Sequence, residues 1–243
     1  MSERAAEDLH ELMTEQLTYY RLGAREYDEA NHKLLAGGGE DGETRRLAYR
    51  RTSEILADLA TDRDVLEVAG GTGVYTRLLA RCAGQLTVVD ASPESLALSR
   101  VANLDASVDI AYVVSDVFTW HPPRRFEVVV FAFWLSHVPI ARFDEFWRLV
   151  DSFLAPGGTV IFLDAEALPD WSRSGEPVES FFSEQREGSE VSVRSLADGS
   201  KFRIVRILWD RRELSERLAL AGWRVAFDAS CPWMLGVVQR APR

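Results

Sequence analysis

A glycine-rich segment between two apolar runs is the part of the chain whose residue types and spacing most clearly suggest chemistry. Glu67 lies within the first apolar run, Val65–Ala69, and Gly71 and Gly73 follow that run before a helical pattern begins. Glycines let the backbone approach a ligand closely, and the free amides at the start of a helix can donate hydrogen bonds. The second run ends at Asp90, whose carboxylate suits the two hydroxyls of a ribose. These residues predict a nucleoside-binding cleft.

Other nucleotide-binding classes also place a glycine turn after a strand. A phosphate-binding P-loop is excluded because no Gly-Lys-Ser/Thr sequence follows the turn. The dinucleotide pattern G-x-G-x-x-G, started at Gly71 and Gly73, puts Thr76 where a small residue should let the helix pack on the strand. A pyrophosphate ligand is therefore disfavoured, and a nicotinamide-dependent oxidoreductase is kept as an alternative.

The glycine segment resembles the first motif of the class I S-adenosylmethionine-dependent methyltransferases. That motif is an acid followed by glycines at alternate positions, and Glu67, Ala69, Gly71 and Gly73 match it, with Ala69 in place of the first glycine. Asp90 matches the acid that holds the ribose in this family. The resemblance implies S-adenosylmethionine as methyl donor and S-adenosylhomocysteine as product.

Three further segments carry the same resemblance, which extends from Arg63 to the C-terminus. Asp116 matches the family's adenine-contacting acid, Val128–Phe133 resembles the fourth motif, and Tyr20–Asp28 resembles a lead segment whose tyrosines close over the methionine end of the cofactor. The cofactor-binding residues that the resemblance implies are Tyr20, Tyr27, Glu67, Ala69, Gly71, Gly73, Asp90, Ala91, Ser92, Asp116, Val117 and Phe133.

His137 is the candidate catalytic base, because it follows the fourth predicted strand at the edge where a parallel sheet opens its ligand crevice. An unperturbed imidazole, with a pKa of about 6.5, can accept a proton near neutral pH. Glu166, just past the fifth predicted strand, is the reserve candidate. The alternative is that His137 belongs to the core or to a helix start and does no chemistry.

The predicted reaction is methyl transfer to a small organic acceptor, with an oxygen of a hydroxyl or carboxylate group of a secondary metabolite as the expected target. Sulfonium chemistry needs mainly alignment of the two substrates, plus a base where the acceptor must lose a proton. Methylation of nitrogen or carbon on the same fold, and a non-catalytic protein that binds S-adenosylmethionine, stay open.

Alternating strand and helix patterns predict an α/β fold, with a doubly wound, mostly parallel, Rossmann-like sheet of seven strands. The last two strands are joined too tightly for a helical crossover, which predicts an antiparallel C-terminal hairpin. A helix between them and the fifth strand begins with Asp210 and Glu213 in capping-box spacing and ends at Gly222. The predicted strands are Val65–Ala69, Leu86–Asp90, Ile110–Val114, Val128–Phe133, Thr159–Leu163, Trp223–Phe227 and Met234–Gln239.

The segments that should position the site are an N-terminal helical lid, residues 1–60, and a methyltransferase core domain, residues 61–243. The lid begins with one helix from about Glu3 to His32, and the glycine-rich residues 36–42 are expected to form a mobile loop. The core carries a cap insertion at about 168–205, whose Ser, Glu and Gly content predicts irregular structure.

Composition narrows the function classes. The chain has 243 residues and a formal net charge of -10, so a nucleic-acid partner is not expected. The longest apolar run, Val128–Leu135, is too short to span a membrane, which needs about 20 residues. Two distant cysteines, Cys82 and Cys231, suggest neither disulfides nor a metal site and fit a cytoplasmic protein. A monomer or homodimer is expected.

Overall fold

A seven-stranded sheet forms the centre of the fold, and helices cover both of its faces. The computed structural model describes residues 3–36, 39–166 and 189–242. The helices are α1 Glu3–Leu22, α2 Ala24–Ala36, α3 Gly39–Ala60, α4 Thr76–Leu79, α5 Pro93–Ala102, α6 Phe143–Phe153 and α7 Arg211–Leu220. The strands are β1 Asp64–Val68, β2 Gln85–Asp90, β3 Ile110–Val114, β4 Phe126–Ala132, β5 Leu154–Asp164, β6 Val191–Ser195, β7 Lys201–Val205, β8 Trp223–Phe227 and β9 Met234–Arg240.

The strand order of the large sheet is β3-β2-β1-β4-β5-β9-β8. Strands β1 to β5 pair in parallel, whereas β9 pairs antiparallel with both β5 and β8. The predicted Rossmann-like sheet with an antiparallel C-terminal hairpin is thus confirmed. The chain winds in opposite directions from β1, so a crevice opens where the carboxyl ends of β1 and β4 lie side by side.

Apolar side chains fill the space on each face of the sheet. On one face, Phe146, Trp147 and Val150 of α6 are fully buried at helical spacing. On the other face, Ala48 and Leu56 of α3 belong to a second buried cluster. Both faces of β1 and β4 are therefore covered, which explains why apolar residues occupy consecutive positions in these strands, as in Val128–Phe131, rather than alternating with polar ones.

The N-terminal segment differs from its prediction in two places. The single helix expected over Glu3–His32 is instead α1 followed by α2, with a break at Gly23. A Cβ on Gly23 would lie 2.7 Å from the Leu196 side chain, so the break lies where the chain passes close to the hairpin of β6 and β7. The mobile loop predicted for residues 36–42 is also wrong over its second half, because α3 begins at Gly39. The glycines at 39 and 42 cost about 1 kcal/mol each relative to alanine in a helix, and burial of Ala48 and Leu56 in the second core cluster offsets that cost.

The cap insertion contains more regular structure than its composition predicts. Strands β6 and β7 form a two-stranded antiparallel sheet in register from Val191–Val205 to Ser195–Lys201, within the stretch expected to be irregular. β-Branched residues at alternating positions and a tight turn ending at Gly199, with φ of +86°, account for the hairpin. Residues 167–188, which contain Trp171, Phe181 and Phe182 of the predicted cap insertion, lie outside the described residues.

The local signals around α7 are confirmed. Asp210 caps the helix, its carboxylate accepting hydrogen bonds from the backbone N–H groups of Arg212 and Glu213. Gly222 has a φ of +80°, the left-handed conformation expected after a helix C-terminus. These caps direct the chain into the terminal hairpin that completes the sheet.

Gly236 gives a test of the contact between β9 and β5. A Cβ at this position would overlap the ring of Phe162, which is fully buried. Gly236 does not have a positive φ, so a substitution there would not add backbone strain to the effect of overpacking. We expect Gly236→Ala to lower the free energy of unfolding by about 1–3 kcal/mol through overpacking, measured by urea denaturation. Gln239→Ala, on an exposed position of the same strand, is the control, and equal stability of both variants would contradict the proposed contact.

Candidate active site

A cavity of about 520 Å³ opens at the carboxyl ends of the parallel strands, beneath α1. This volume lies within the usual range for a small-molecule site. Ten of the thirteen residues predicted to bind or react line it: Tyr20, Tyr27, Ala69, Gly71, Asp90, Ala91, Asp116, Val117, Phe133 and His137. The cavity thus brings together residues from the N-terminal helices and from the ends of β1, β2, β3 and β4.

The glycine turn is fixed against the end of β2 by one carboxylate. Asp90 accepts a hydrogen bond from the backbone N–H of Gly71 at 2.9 Å and another from that of Ser92 at 2.7 Å. Each carboxylate oxygen has a second lone pair, so acceptor capacity remains for a ligand hydroxyl. Burial raises the pKa of Asp90 above its usual range, and the two N–H donors oppose that shift.

The backbone of the turn is left-handed at more than the glycines. Ala69 has a φ of +53° and Gly71 one of +55°, and Phe133, across the cavity after β4, also has a φ of +53°. Such conformations are costly for residues with a Cβ and tend to occur at binding sites. The alanine in place of the motif's first glycine therefore keeps the conformation that a glycine would adopt freely.

Three of the predicted cofactor residues are not among the described residues that line the cavity, and each makes a contact within the protein. Glu67 is buried and accepts a 2.6 Å hydrogen bond from the Thr76 hydroxyl. Gly73 packs so closely on α5 that a Cβ there would lie 2.5 Å from the Ser99 hydroxyl oxygen. Ser92 caps α5 by accepting a hydrogen bond from the N–H of Ser95.

Asp116 and Val117 form the wall of the cavity beyond β3. Asp116 is exposed, and its carboxylate accepts a hydrogen bond from the N–H of Phe118 at 2.9 Å. Val117 is buried and packs into the main core cluster. The carboxylate thus shapes its own loop and also borders the cavity.

His137 lies in a short 3-10 turn, Leu135–His137, and its imidazole is hydrogen-bonded at both nitrogens. Nδ1 lies 2.7 Å from the carbonyl oxygen of Val205, and Nε2 lies 2.9 Å from the hydroxyl of Tyr20. Because a carbonyl oxygen can only accept, Nδ1 carries the proton and Nε2 is the acceptor for the Tyr20 hydroxyl. The ring therefore presents its basic nitrogen to the Tyr20 side of the cavity.

The electrostatic environment of this pair favours its neutral form. Burial, together with the guanidinium groups of Arg206 and Arg194, lowers the pKa of His137 to about 3, and the hydrogen bond to the Val205 carbonyl opposes this shift. Burial also raises the pKa of Tyr20 well above its usual range. The imidazole is consequently neutral, and its Nε2 lone pair unprotonated, throughout the physiological pH range.

Glu166, the reserve candidate for the base, lies outside the cavity lining that the described residues form. Its carboxylate forms an ion pair with Arg211, at 2.8 Å, and its backbone forms a bridge with Trp209. The arrangement joins β5 to the start of α7.

Several cavity residues escaped the sequence analysis. Trp134 and Arg142, from the segment after β4, line the cavity together with Leu17 of α1. Gln16 of α1 also lines it and is buried despite its polar side chain. The available signal was a polar residue one helical turn before Tyr20, on the otherwise apolar face of α1.

Comparison with known proteins agrees with this geometry. The family model of a methyltransferase domain matches residues 65–158, which include the glycine turn, Asp90 and His137. A solved structure described as a DhpI–SAH complex is 33% identical, has a TM-score of 0.75, and is matched over 96% of this chain and 99% of that one. The chain belongs to the class I S-adenosylmethionine-dependent methyltransferases. A DhpI–SAM–HEP complex is also similar to this methyltransferase, at 35% identity, a TM-score of 0.73, and 93% and 96% coverage.

Curated relatives match this methyltransferase over shorter segments. The ubiquinone biosynthesis O-methyltransferase of Xanthomonas campestris pv. campestris (strain B100) is 32% identical over 107 residues, covering 43% of this chain and 44% of that protein. The C-methyltransferase UbiE of Pseudomonas paraeruginosa (strain DSM 24068 / PA7) is 32% identical over 147 residues, covering 58% and 54%. The chain thus matches about half the length of these curated relatives.

Glu67 makes the stability of this methyltransferase depend on pH. Burial raises the pKa of its carboxyl group from 4.5 to about 8, so the folded protein holds a proton that the unfolded chain has released between those values. Its contribution to stability is complete at low pH and is lost as the pH rises through this window, by at most about 1.4 kcal/mol per pH unit. We expect Glu67→Gln to gain stability relative to wild type between about pH 5 and pH 8.

Urea denaturation at both ends of that range measures the effect. Glu216→Gln, which removes an exposed carboxylate on α7, is the matched control for the change of charge. If the difference in unfolding free energy between Glu67→Gln and wild type is the same at the two pH values, Glu67 does not hold its proton in the folded state.

Proposed function

We propose that this protein transfers the methyl group of S-adenosylmethionine to an oxygen of a small organic acceptor, a hydroxyl or carboxylate of a secondary metabolite. The observation that carries the proposal is a single cavity with a nucleoside-type cradle at Gly71 and Asp90 and a hydrogen-bonded Tyr20–His137 pair. The whole-length similarity to the DhpI complexes with SAH and SAM supports the choice of cofactor.

The cofactor is proposed to lie along the ends of β1, β2 and β3. The left-handed turn at Ala69 and Gly71 leaves room for a ligand beside the backbone, and Asp90 keeps acceptor capacity for ribose hydroxyls. Asp116 and Val117 are positioned to border the adenine, and Tyr27 to border the methionine end. When bound, S-adenosylmethionine supplies a methyl group on a positively charged sulfur, a good leaving group.

His137 is proposed to take the proton of a hydroxyl acceptor. Its Nε2 already accepts the hydrogen of the Tyr20 hydroxyl, so an acceptor proton that moves to the Tyr20 oxygen can release the tyrosine proton to Nε2. The bond to Val205 keeps the Nδ1 proton in place during this transfer. Because the imidazolium is disfavoured by burial, the transfer is expected late, when the acceptor oxygen has gained positive charge.

Oxygen is proposed as the target because a hydroxyl acceptor must lose a proton, and the hydrogen-bonded Tyr20–His137 pair offers an unprotonated nitrogen that could accept it. The curated relatives include both an O-methyltransferase and a C-methyltransferase, so methylation of carbon or nitrogen is the second candidate. A nicotinamide-dependent oxidoreductase or a non-catalytic cofactor-binding protein agrees less well with these relatives.

Several predictions from the sequence remain predictions. They are the division into a lid at 1–60 and a core at 61–243 with a cap at about 168–205, a monomer or homodimer, a cytoplasmic location, the absence of a nucleic-acid partner and the absence of a metal. No helix in the described ranges has the length and apolar character that crossing a bilayer requires.

Asp90 provides the direct test of cofactor binding. Asp90→Asn removes the charge that the ribose hydroxyls are proposed to bind, and a hydrogen bond to a charged group contributes about 1.5–3 kcal/mol. We expect isothermal titration calorimetry with S-adenosylhomocysteine to show affinity about tenfold or more weaker than wild type. Asp109→Asn, at an exposed position before β3, should bind as wild type does. Equal affinity for wild type and Asp90→Asn would contradict the site.

His137 has a distinctive expected pH dependence. A positioned base contributes about 10²- to 10⁴-fold, and His137→Gln should lose this factor with a hydroxyl acceptor found by screening alcohols and phenols for release of S-adenosylhomocysteine. Because its pKa is lowered to about 3, the wild-type advantage should persist on acidification. We expect the ratio of wild-type to variant kcat to change less than about threefold between about pH 8 and pH 5.5.

The same comparison with His121→Ala, whose exposed histidine lies away from the cavity, controls for loss of a histidine. A ratio that falls about tenfold by pH 5.5 would mean that the imidazole titrates near its ordinary value. Full activity of His137→Gln at every pH would rule out the base role.

A further inference from the structure

Gln16 forms two buried hydrogen bonds that join three distant parts of the chain. Its Nε2 donates to the carbonyl oxygen of His137 at 3.2 Å, and its Oε1 accepts from the backbone N–H of Val205 at 2.8 Å. The backbone groups fix the orientation of the amide, since a carbonyl only accepts and an N–H only donates. The residue is 3% exposed, so both hydrogen bonds are largely shielded from bulk solvent.

Val205 is the residue through which Gln16 and His137 are connected. Its N–H is held by Gln16, and its carbonyl oxygen accepts the Nδ1 proton of His137 at 2.7 Å. If the main chain at Val205 moved, its carbonyl oxygen would shift away from His137 Nδ1, and that oxygen is the acceptor that keeps the proton on Nδ1. Loss of that partner would let Nε2 carry the proton, and Nε2 would then no longer accept from Tyr20.

Helix α1 supplies both ends of this arrangement. Gln16 and Tyr20 are four residues apart and share one face of the helix. Gln16 holds the main chain of His137 and of Val205, while Tyr20 donates to the opposite side of the ring. The position of the helix is thereby coupled to the direction in which the basic nitrogen points.

We propose that Gln16 is a positioning residue for the proton acceptor: through Val205 and the His137 carbonyl it holds His137 in its Nδ1–H form with Nε2 directed at Tyr20. This inference rests on the proposed function, because the tautomer matters to catalysis only if His137 accepts a proton. The tautomer itself is measurable without any acceptor.

Neighbouring Glu15 offers a matched control. Its carboxylate binds the backbone N–H of Arg203 and forms a 2.7 Å ion pair with the guanidinium of the same residue, on the exposed side of the helix. Glu15→Gln therefore weakens the same contact between α1 and β7 that Gln16 makes, but without touching His137. A purely structural role of Gln16 predicts similar consequences from both changes.

The test is ¹⁵N NMR of the histidine side chains, combined with kinetics, on the full chain. Gln16→Met keeps the length of the side chain and removes both hydrogen bonds, and Gln16→Glu keeps the acceptor for the Val205 N–H. We expect wild type and Glu15→Gln to show one histidine fixed as Nδ1–H, and Gln16→Met to show that histidine in mixed or exchanging tautomers. If Gln16→Met does not fold, Gln16→Glu is used instead. Because this variant keeps the acceptor for the Val205 N–H, we expect it to show a smaller shift of the same histidine toward mixed tautomers.

Kinetics separate positioning from docking of the helix. For Gln16→Met we expect kcat to fall about tenfold to 100-fold while KM changes less than about threefold, since misplacement of a reacting group acts on the chemical step. The affinity for S-adenosylhomocysteine should change less than about threefold. An unchanged tautomer in the folded Gln16 variants, or an equal loss of kcat in Glu15→Gln, would overturn the proposal.

Failure of the proposed function gives a different result. Wild type that binds no S-adenosylhomocysteine would remove the methyltransferase assignment while the histidine NMR still reported on Gln16. Normal cofactor binding with an Nδ1–H imidazole that is insensitive to both Gln16 variants would remove only the positioning role.

Discussion

The hydrogen bonds that Asp90 accepts from Gly71 and Ser92 are the constraint on which the site depends. They join the turn after β1 to the loop after β2, in addition to the main-chain hydrogen bond from Gly70 to Val89. The carboxylate is buried for this purpose, and the two amides compensate part of the desolvation. The turn that these bonds hold contains the left-handed Ala69, and Ala69, Gly71 and Asp90 all line the cavity.

The roof of the cavity depends on contacts between segments far apart in the sequence. Gln16 and Tyr20 come from the first helix, His137 from the turn after β4, and Val205 from the hairpin after β5. None of these residues belongs to the seven-stranded sheet, although Val205 pairs with Val191 in the β6–β7 hairpin. Their mutual hydrogen bonds therefore determine both the closure of the cavity and the orientation of the imidazole.

The sequence predicted the sheet well because each of its strands carries a local signal. The runs around Val65–Val68 and Val128–Phe131 are apolar on both faces, as buried parallel strands must be, and Gly222 marks a helix end by its backbone alone. The predictions that rested on composition alone were wrong in two segments, because glycine-rich or polar composition does not by itself determine the backbone conformation. The glycines near residue 39 start a helix, and the polar cap insertion contains a regular hairpin.

Within the site, the sequence identified residue types but not their roles. The resemblance to a methyltransferase motif predicts that Glu67 and Gly73 bind the cofactor, and the structure adds that Glu67 accepts a hydrogen bond from Thr76 and that Gly73 packs closely on α5. Gln16 belongs to no motif, and its importance arises from partners more than 100 residues away along the chain. Only a three-dimensional arrangement reveals a contact of this kind.

The central claim is that the Asp90-anchored turn is a nucleoside cradle. A crystal structure of the protein with S-adenosylhomocysteine tests it most directly. The account predicts the ribose hydroxyls within hydrogen-bonding distance of the Asp90 carboxylate, with the sulfur directed toward Tyr20 and His137. A nucleoside bound away from Asp90, with the Gly71 turn unengaged, would contradict it.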